Sequence, residues 1–236
     1  MMNEKIFKFK QFSLLTPPDI GMPISTDGVL LGAWALKEPQ SCILDIGTGS
    51  GLLALMCAQR HPDASIEAVE LDLKAFHCAS HNFNQSPWSK RLHIHLDNIL
   101  TFENQNTFSG IICNPPYFNT GPSSEKISRA QARHTASLSH SALLAKCEQV
   151  LDLRGYAAFI LPIVEGEQFM QEAVQTGWFI KRCCRVASTE TKNHSRIMLE
   201  LTREPVETQL EQLVIRKKGS YSQCFTALTR DFYLKM

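Results

Sequence analysis

The sequence predicts an α/β protein built on a doubly wound, mostly parallel sheet of seven strands, preceded by a short N-terminal extension. Three observations carry that expectation. Apolar runs of strand length alternate with segments of helical period from Ser41 to about Leu161, the pattern of a parallel sheet covered on both faces by helices. The first strand runs into closely spaced glycines that open a helix, as in folds that bind ligands at the carboxyl ends of their strands. Two further runs, SIEAVE and LHIHLD, finish in acids.

Taken in order, residues 26–36 (TDGVLLGAWAL) begin with a helix-capping Thr or Asp ahead of an apolar run. Residues 1–40 are expected to pack as an extension on a single domain formed by 41–236. SCILDI (41–46) reads as a buried strand, 52–59 as a helix, SIEAVE (65–70) as a strand, 73–84 as a helix, 92–95 as a strand and GIIC (110–113) as another. A loop rich in Pro, Gly and Ser follows, then a helix over 141–151 and a strand over 155–161. Residues 167–176 read as helical, and 178–186 and 196–201 as two closing strands that can run antiparallel.

Composition narrows the classes. A chain of 236 residues, 44% hydrophobic and 20% charged, can bury a core without staples. Its eight cysteines form no C-x-x-C pair, so neither a disulfide framework nor a zinc site is signalled and no metal is expected. The first residues lack a secretion signal's apolar run, and no stretch is long and apolar enough to span a bilayer. A cytoplasmic protein is expected. A net charge of +1 excludes a uniformly basic surface but not a local cationic patch. Basic residues cluster at Lys5 to Lys10, at Arg129, Arg133 and His134, at Lys181, Arg182 and Arg185, from Lys192 to Arg196, and from Arg216 to Lys218.

After the first strand the chain reads Asp45-Ile46-Gly47-Thr48-Gly49-Ser50-Gly51. Glycines permit a tight turn and let a ligand touch the backbone. A dinucleotide site would favour G-x-G-x-x-G, which sets a pyrophosphate on the helix N-terminus; here the spacing is G-x-G-x-G behind an acid. S-adenosylmethionine has no pyrophosphate and carries an ammonium and a sulfonium, which suits Asp45 at the loop mouth. Glu70, closing the second strand, is placed to accept the two ribose hydroxyls. Asp97, with Asn98 beside it after the third strand, is placed to accept the adenine amino group.

The fourth strand ends in Asn114-Pro115-Pro116-Tyr117, the most specific signal in the chain. An exocyclic amine on an aromatic ring is a poor nucleophile, because its lone pair is delocalised into the ring. Two acceptors, the Asn114 side-chain oxygen and the Pro115 carbonyl, would hold its two N–H groups and aim the lone pair at a methyl donor. Proline has a carbonyl and no N–H donor. Tyr117 and Phe118 can stack on a planar base, each stack being worth roughly 1–3 kcal/mol.

The glycine loop with Asn-Pro-Pro-Tyr resembles the amino-methylating class I methyltransferases, which act on adenine, on guanine or on the glutamine of release factors. Further stretches resemble the bacterial valine tRNA adenine-N6-methyltransferase family: residues 7–12 (FKFKQF), 25–34 (STDGVLLGAW), 84–88 (NQSPW), 129–134 (RAQARH) and the tail from Tyr221 to Leu234. The resemblance implies a Rossmann-like fold, S-adenosylmethionine as cofactor, and tRNA as partner, with no obligate protein partner evident. It implies adenine N6 beside the anticodon as the acceptor. It also implies that Thr26 and Asp27 lie against the methionine end of the cofactor, joining Asp45, Gly47, Thr48, Gly49, Gly51, Glu70, Asp97 and Asn98. Pro116, Phe118, Arg129, Arg133 and His134 would border the substrate entrance. A glutamine or ribosomal RNA methyltransferase, and an RNA-binding protein without catalysis, are the alternatives. The short segment ahead of the first strand argues against a glutamine enzyme, and intact Asn114 and Tyr117 against a protein without catalysis.

Overall fold

A computed structural model describes residues 5–17, 24–104, 107–115 and 138–235. Strands β1 (Lys5–Lys8) and β2 (Ser13–Thr16) form an antiparallel hairpin. Helix α1 (Thr26–Trp34) leads into β3 (Cys42–Ile46), α2 (Leu52–Arg60), β4 (Ser65–Glu70), α3 (Leu73–Asn84), β5 (Leu92–Leu96) and β6 (Phe108–Cys113). After them come α4 (His140–Val150), β7 (Leu151–Pro162), α5 (Ile163–Gln175), β8 (Phe179–Thr189) and β9 (His194–Thr202). The chain closes with β10 (Gln209–Lys217), β11 (Ser220–Tyr221) and α6 (Gln223–Thr229).

The main sheet has nine strands in the order β11-β10-β8-β9-β7-β6-β3-β4-β5, two more than the sequence predicts. Strands β3 to β8 and β10 run parallel; β9 runs antiparallel between β7 and β8. The strand and helix order from β3 to β9 follows the prediction. The boundaries shift: β7 begins at Leu151, directly after α4, and α5 begins at Ile163. Strand β10 (QLEQLVIRK) is absent from the prediction because its polar first half masks the LVI run.

The central strands are buried on both faces, β3 through Ile43, Leu44 and Ile46 and β7 from Ala157 to Leu161, as expected of a parallel sheet. One core lies between the sheet and α1, α2 and α6; Phe9, Phe12 and Leu14 from the N-terminal segment belong to it. A second lies beneath α4 and α5, around Phe108, Phe159, Phe169 and Trp178. Ends of α1 and α3 are closed by side chains. Ser25 caps α1 and Asp72 caps α3, the Asp72 Oδ1 accepting from the Lys74 and Ala75 amides. The cap of α1 is therefore Ser25, one residue before the Thr26 or Asp27 that the sequence suggests.

Helix α1 is buried along its length from Gly28 to Trp34. A Cβ at Gly32 would come within 2.6 Å of the Met56 sulfur, so glycine sets the close approach of α1 to α2. Its last carbonyls, Gly32, Ala35 and Leu36, accept from the Arg60 guanidinium, which satisfies groups no helix can satisfy internally. Leu36 then turns with φ 49°, and its amide donates to Glu200 Oε2 at 2.8 Å. Glu200, wholly buried on β9, also faces Arg182 of β8 at 3.6 Å. The Arg182 guanidinium lies over the Trp34 ring, donates to the Trp34 carbonyl, and pairs with Glu211 of β10 at 2.9 Å. These groups tie the turn after α1 to β8, β9 and β10.

Among the described residues, no helix is long and apolar enough to cross a membrane.

Candidate active site

The carboxyl ends of the parallel strands lie along one edge of the sheet, and the sequence-predicted residues gather there. Gly47, Gly49 and Gly51 all adopt left-handed backbone, with φ of 68°, 59° and 88°. The loop is held against the neighbouring strand, since the amides of Gly47 and Thr48 donate to the Val69 carbonyl. A Cβ at Gly47 or Gly49 would meet no atom within 4 Å, so these two glycines leave open space on the cleft side. Gly51 differs: a Cβ there would approach Phe83 to 2.6 Å. It packs the loop against α3, a contact that the spacing does not signal.

Asp45 is also placed otherwise than expected. It is wholly buried beneath the loop rather than open at its mouth. Its Oδ2 accepts from the Thr48 hydroxyl at 2.5 Å and from the Ala54 amide at 3.0 Å, so it braces the turn and supplies the cap that Gly51 cannot give α2. Burial raises the Asp45 carboxyl to about 7, against the lowering effect of those two hydrogen bonds and with a further push from Glu70. An acid whose folded pKa is raised holds its proton in the folded state while the unfolded chain has lost it. The Asp45 contribution to stability is therefore expected to fall as pH rises from 3.8 toward about 7 and to level off above. Urea unfolding of the protein and of Asp45→Asn across this range checks it: the stability difference between them should shrink with rising pH, and a constant difference would show that Asp45 does not titrate there.

Glu70 closes β4 with its carboxylate turned back on the loop. Oε2 accepts from the Gly49 amide at 2.8 Å, and Oε1 from the amides of Leu71 and Asp72. Three bonds leave capacity for a further donor on a group with about four lone-pair sites. Asp97 follows β5, its amide bonded to the Glu70 carbonyl and its Oδ1 accepting from the Asn98 amide at 2.7 Å. Asn98 starts the next turn, with Oδ1 accepting from the Leu100 amide. Both acids thus sit side by side on adjacent strand ends.

The cleft itself is bordered by Ser25 and Gly28 of α1, by Gly47, Thr48 and Gly49, and by Asn114. Asn114 is 9% exposed, and its Oδ1 has no hydrogen-bond partner among the described residues. A buried acceptor left unsatisfied is costly. Pro115 follows, buried. Thr26 is exposed at the start of α1, while Asp27 is paired with Arg196 of β9 at 2.7 Å. Ser25 and Gly28 border the cleft without having been singled out from the sequence; the capping pattern at 25–28 was the available signal. Pro116, Tyr117, Phe118, Arg129, Arg133 and His134 lie outside the described residues.

A glycine turn with open space above it, acids on the next two strand ends and an Asn-Pro at the fourth suit the sheet edge of a class I S-adenosylmethionine-dependent methyltransferase. Residues 28–141 match the family model described as Methyltransferase small domain. The chain is 52% identical over 240 residues, covering the whole of both chains, to the tRNA1(Val) (adenine(37)-N6)-methyltransferase of Vibrio campbellii. It is 51% identical to the protein of the same name from Vibrio parahaemolyticus, over 98% of this chain and 97% of that one. It belongs to this tRNA1(Val) (adenine(37)-N6)-methyltransferase family. Among solved structures, a predicted O-methyltransferase from Agrobacterium tumefaciens superposes with a TM-score of 0.67 over 87% of this chain and 96% of that one, at 13% identity, which speaks for the fold alone.

The cofactor is S-adenosylmethionine, and the residues present fit it: space over Gly47 and Gly49, and carboxylates with spare acceptor capacity at Glu70 and Asp97. We expect Glu70→Ala to weaken cofactor binding by tenfold or more, the loss of about 1.5–3 kcal/mol that a hydrogen bond to a charged group supplies. Calorimetric titration checks this; unchanged affinity would remove Glu70 from the cofactor site.

Proposed function

We propose that this chain transfers a methyl group from S-adenosylmethionine to N6 of adenosine 37, next to the anticodon, in the valine-accepting tRNA, and that it does so in the cytoplasm. The reading is carried by identity of about half the residues, from end to end, with relatives named for that reaction.

When bound, S-adenosylmethionine supplies a methyl carbon made electrophilic by the attached sulfonium. The chain's residues supply placement. Glu70 accepts from the ribose hydroxyls and Asp97 from the adenine amino group of the cofactor; Gly47, Thr48 and Gly49 let its methionine portion lie against the loop. Asn114 Oδ1 and the Pro115 carbonyl accept the two N–H groups of the target amine, which localises its lone pair and points it into the cleft. The amine becomes positively charged as the new bond forms and then releases its proton, so no strong base is needed beforehand. Tyr117 and Phe118 stack on the base, with Pro116 beside them, and Arg129, Arg133 and His134 border its entrance. A base in a structured loop must be splayed out to reach Asn114, at a cost of a few kcal/mol.

The test is labelled methyl incorporation into bulk tRNA lacking this modification, followed by nucleoside mass spectrometry. N6-methyladenosine confined to the valine acceptor is the expected result. Label in a release-factor glutamine, with none in RNA, would overturn it.

A further inference from the structure

We infer that the two hairpin tips at the far end of the site's sheet edge, carrying Lys192 on one and Arg216, Lys217 and Lys218 on the other, form the surface that docks the RNA phosphate backbone. The inference rests on the tRNA reading above and names the part of the protein that would hold that substrate.

The sheet register places these tips. Cys113 pairs with Phe159, so Asn114 stands level with Ile160; Ile160 pairs with Met198, Met198 with Cys184, and Cys184 with Glu211. From β6 to β10 is four strand spacings, roughly 19 Å. Arg216 lies five positions beyond Glu211 along β10 (216 − 211 = 5), roughly 16 Å further out. Arg216 pairs with Thr189, the last residue of β8, so the turn between β8 and β9 and the turn between β10 and β11 project together beyond Asn114. They form a wall on one side of the cleft.

Charge divides along this edge. The ends of β4 and β5 carry Glu70, Asp72 and Asp97. The far end carries Lys192, Arg216, Lys217 and Lys218, with Glu190 the single acid from 189 to 196 and none from 212 to 222. A cationic cofactor and a polyanionic substrate thus meet surfaces of opposite sign on the two sides of Asn114.

The other basic clusters among the described residues are already engaged or lie elsewhere. Lys181 pairs with Glu38 and Glu200, Arg182 is buried against Glu200 and Glu211, and Arg185 pairs with Glu167. Lys10 donates to the Arg230 carbonyl. Lys5 and Lys8 stand on the β1–β2 hairpin, whose Leu15 is tied to Asn82 of α3, on the cofactor side. Lys192, Lys217 and Lys218 are exposed and make no ion pair with a described residue.

The second tip is also built to present its charge. Lys218 (φ 50°) and Gly219 (φ 82°) give the turn two left-handed residues in succession, a geometry that favours Asn or Gly at both places. A lysine held there bears a conformational cost that no described contact offsets. Arg216 lies over the Tyr221 ring at 4.5 Å, and Tyr221, 46% exposed, stacks on buried Phe225. The guanidinium is thereby pre-positioned and the ring face is backed by the core.

The test compares the protein with a K192Q/K217Q/K218N variant, in which asparagine keeps the left-handed turn, and with K74Q/K90Q, which removes exposed lysines from α3 and from the turn before β5. The tRNA Kd is measured as a function of KCl. Three lost phosphate contacts should lower the slope of log Kd against log salt by about two to three units and raise Kd at 0.1 M salt by roughly 100-fold. The calorimetric Kd for S-adenosylmethionine and kcat at saturating tRNA should not change, and K74Q/K90Q should keep most of the slope. An unchanged slope in the triple variant, or an equal drop in K74Q/K90Q, overturns the proposal. As a measurement independent of any variant, bound tRNA should protect Lys192, Lys217 and Lys218 from acetylation; equal labelling with and without tRNA would also overturn it. If the unaltered protein methylates no tRNA, the proposed function fails on that assay alone, whereas methylation with an unaltered variant slope fails only the docking surface.

Discussion

Asn114→Ala is expected to lower kcat for RNA methylation by about 10²–10³, the range for removing one preorganised polar group aimed at charge that develops in the transition state. The side chain is buried at the end of β6 with its oxygen unpartnered among the described residues, so alanine removes an acceptor without breaking a described bond. Cofactor affinity should change little, because the Glu70 and Asp97 carboxylates remain. An interaction made only with the reacting amine lowers kcat and kcat/KM together, whereas lost ground-state binding would raise KM alone. Single-turnover methyl transfer with calorimetry of the cofactor separates the two. A variant with full activity would end the amine-holding role.

The second large effect falls on stability. Glu200→Ala should destabilise the fold by about 3–5 kcal/mol, the range for removing one partner from a buried ion-pair network. For a chain of this size that is a fall in Tm of roughly 6–20 °C. Burial pushes the Glu200 carboxyl up, and Arg182, the Leu36 amide and Lys181 draw it back. Alanine leaves Arg182 with Glu211 and the Trp34 carbonyl, and leaves the Leu36 amide without its acceptor. Glu200→Gln should cost less, because an amide oxygen still accepts from Leu36. Thermal melts of both variants decide it: equal melting of Glu200→Ala and the unaltered protein would show that the network contributes nothing net.

The order of elements from β3 to β9, and the position of the loop and of Glu70, Asp97 and Asn114 at strand ends, were legible because each has a local signature. A strand that stops in G-x-G-x-G and a strand that stops in Asn-Pro need no distant information. Residues whose roles depend on what packs behind them were not legible. Asp45 and Gly51 stand in the loop motif beside Gly47 and Gly49, yet Asp45 turns inward to Thr48 and Ala54, and Gly51 rests on Phe83. Spacing alone cannot separate a residue that lines a cleft from one that supports it. Strand β10 escaped for a related reason. It lies beside β8 with Leu210 exposed and Glu211 drawn into the Arg182 network, so its alternation is blurred by a tertiary ion pair. Arg196 looked like one more member of a basic run, and only the register of β9 against β7 brings it to Asp27.

Residues near the two ends of the chain grip one another. Phe9 forms a bridge with Tyr233, the Lys10 amide donates to the Phe232 carbonyl, and Gln59 reaches the Asp231 carbonyl. More than two hundred residues separate the first pair, which makes the polypeptide a ring closed by noncovalent contacts. During synthesis, Phe9 and Phe12 emerge first but cannot gain their full cover until residues 230–233 have left the ribosome. Full cover over Phe9 is consequently completed only when residues 230–233 reach it.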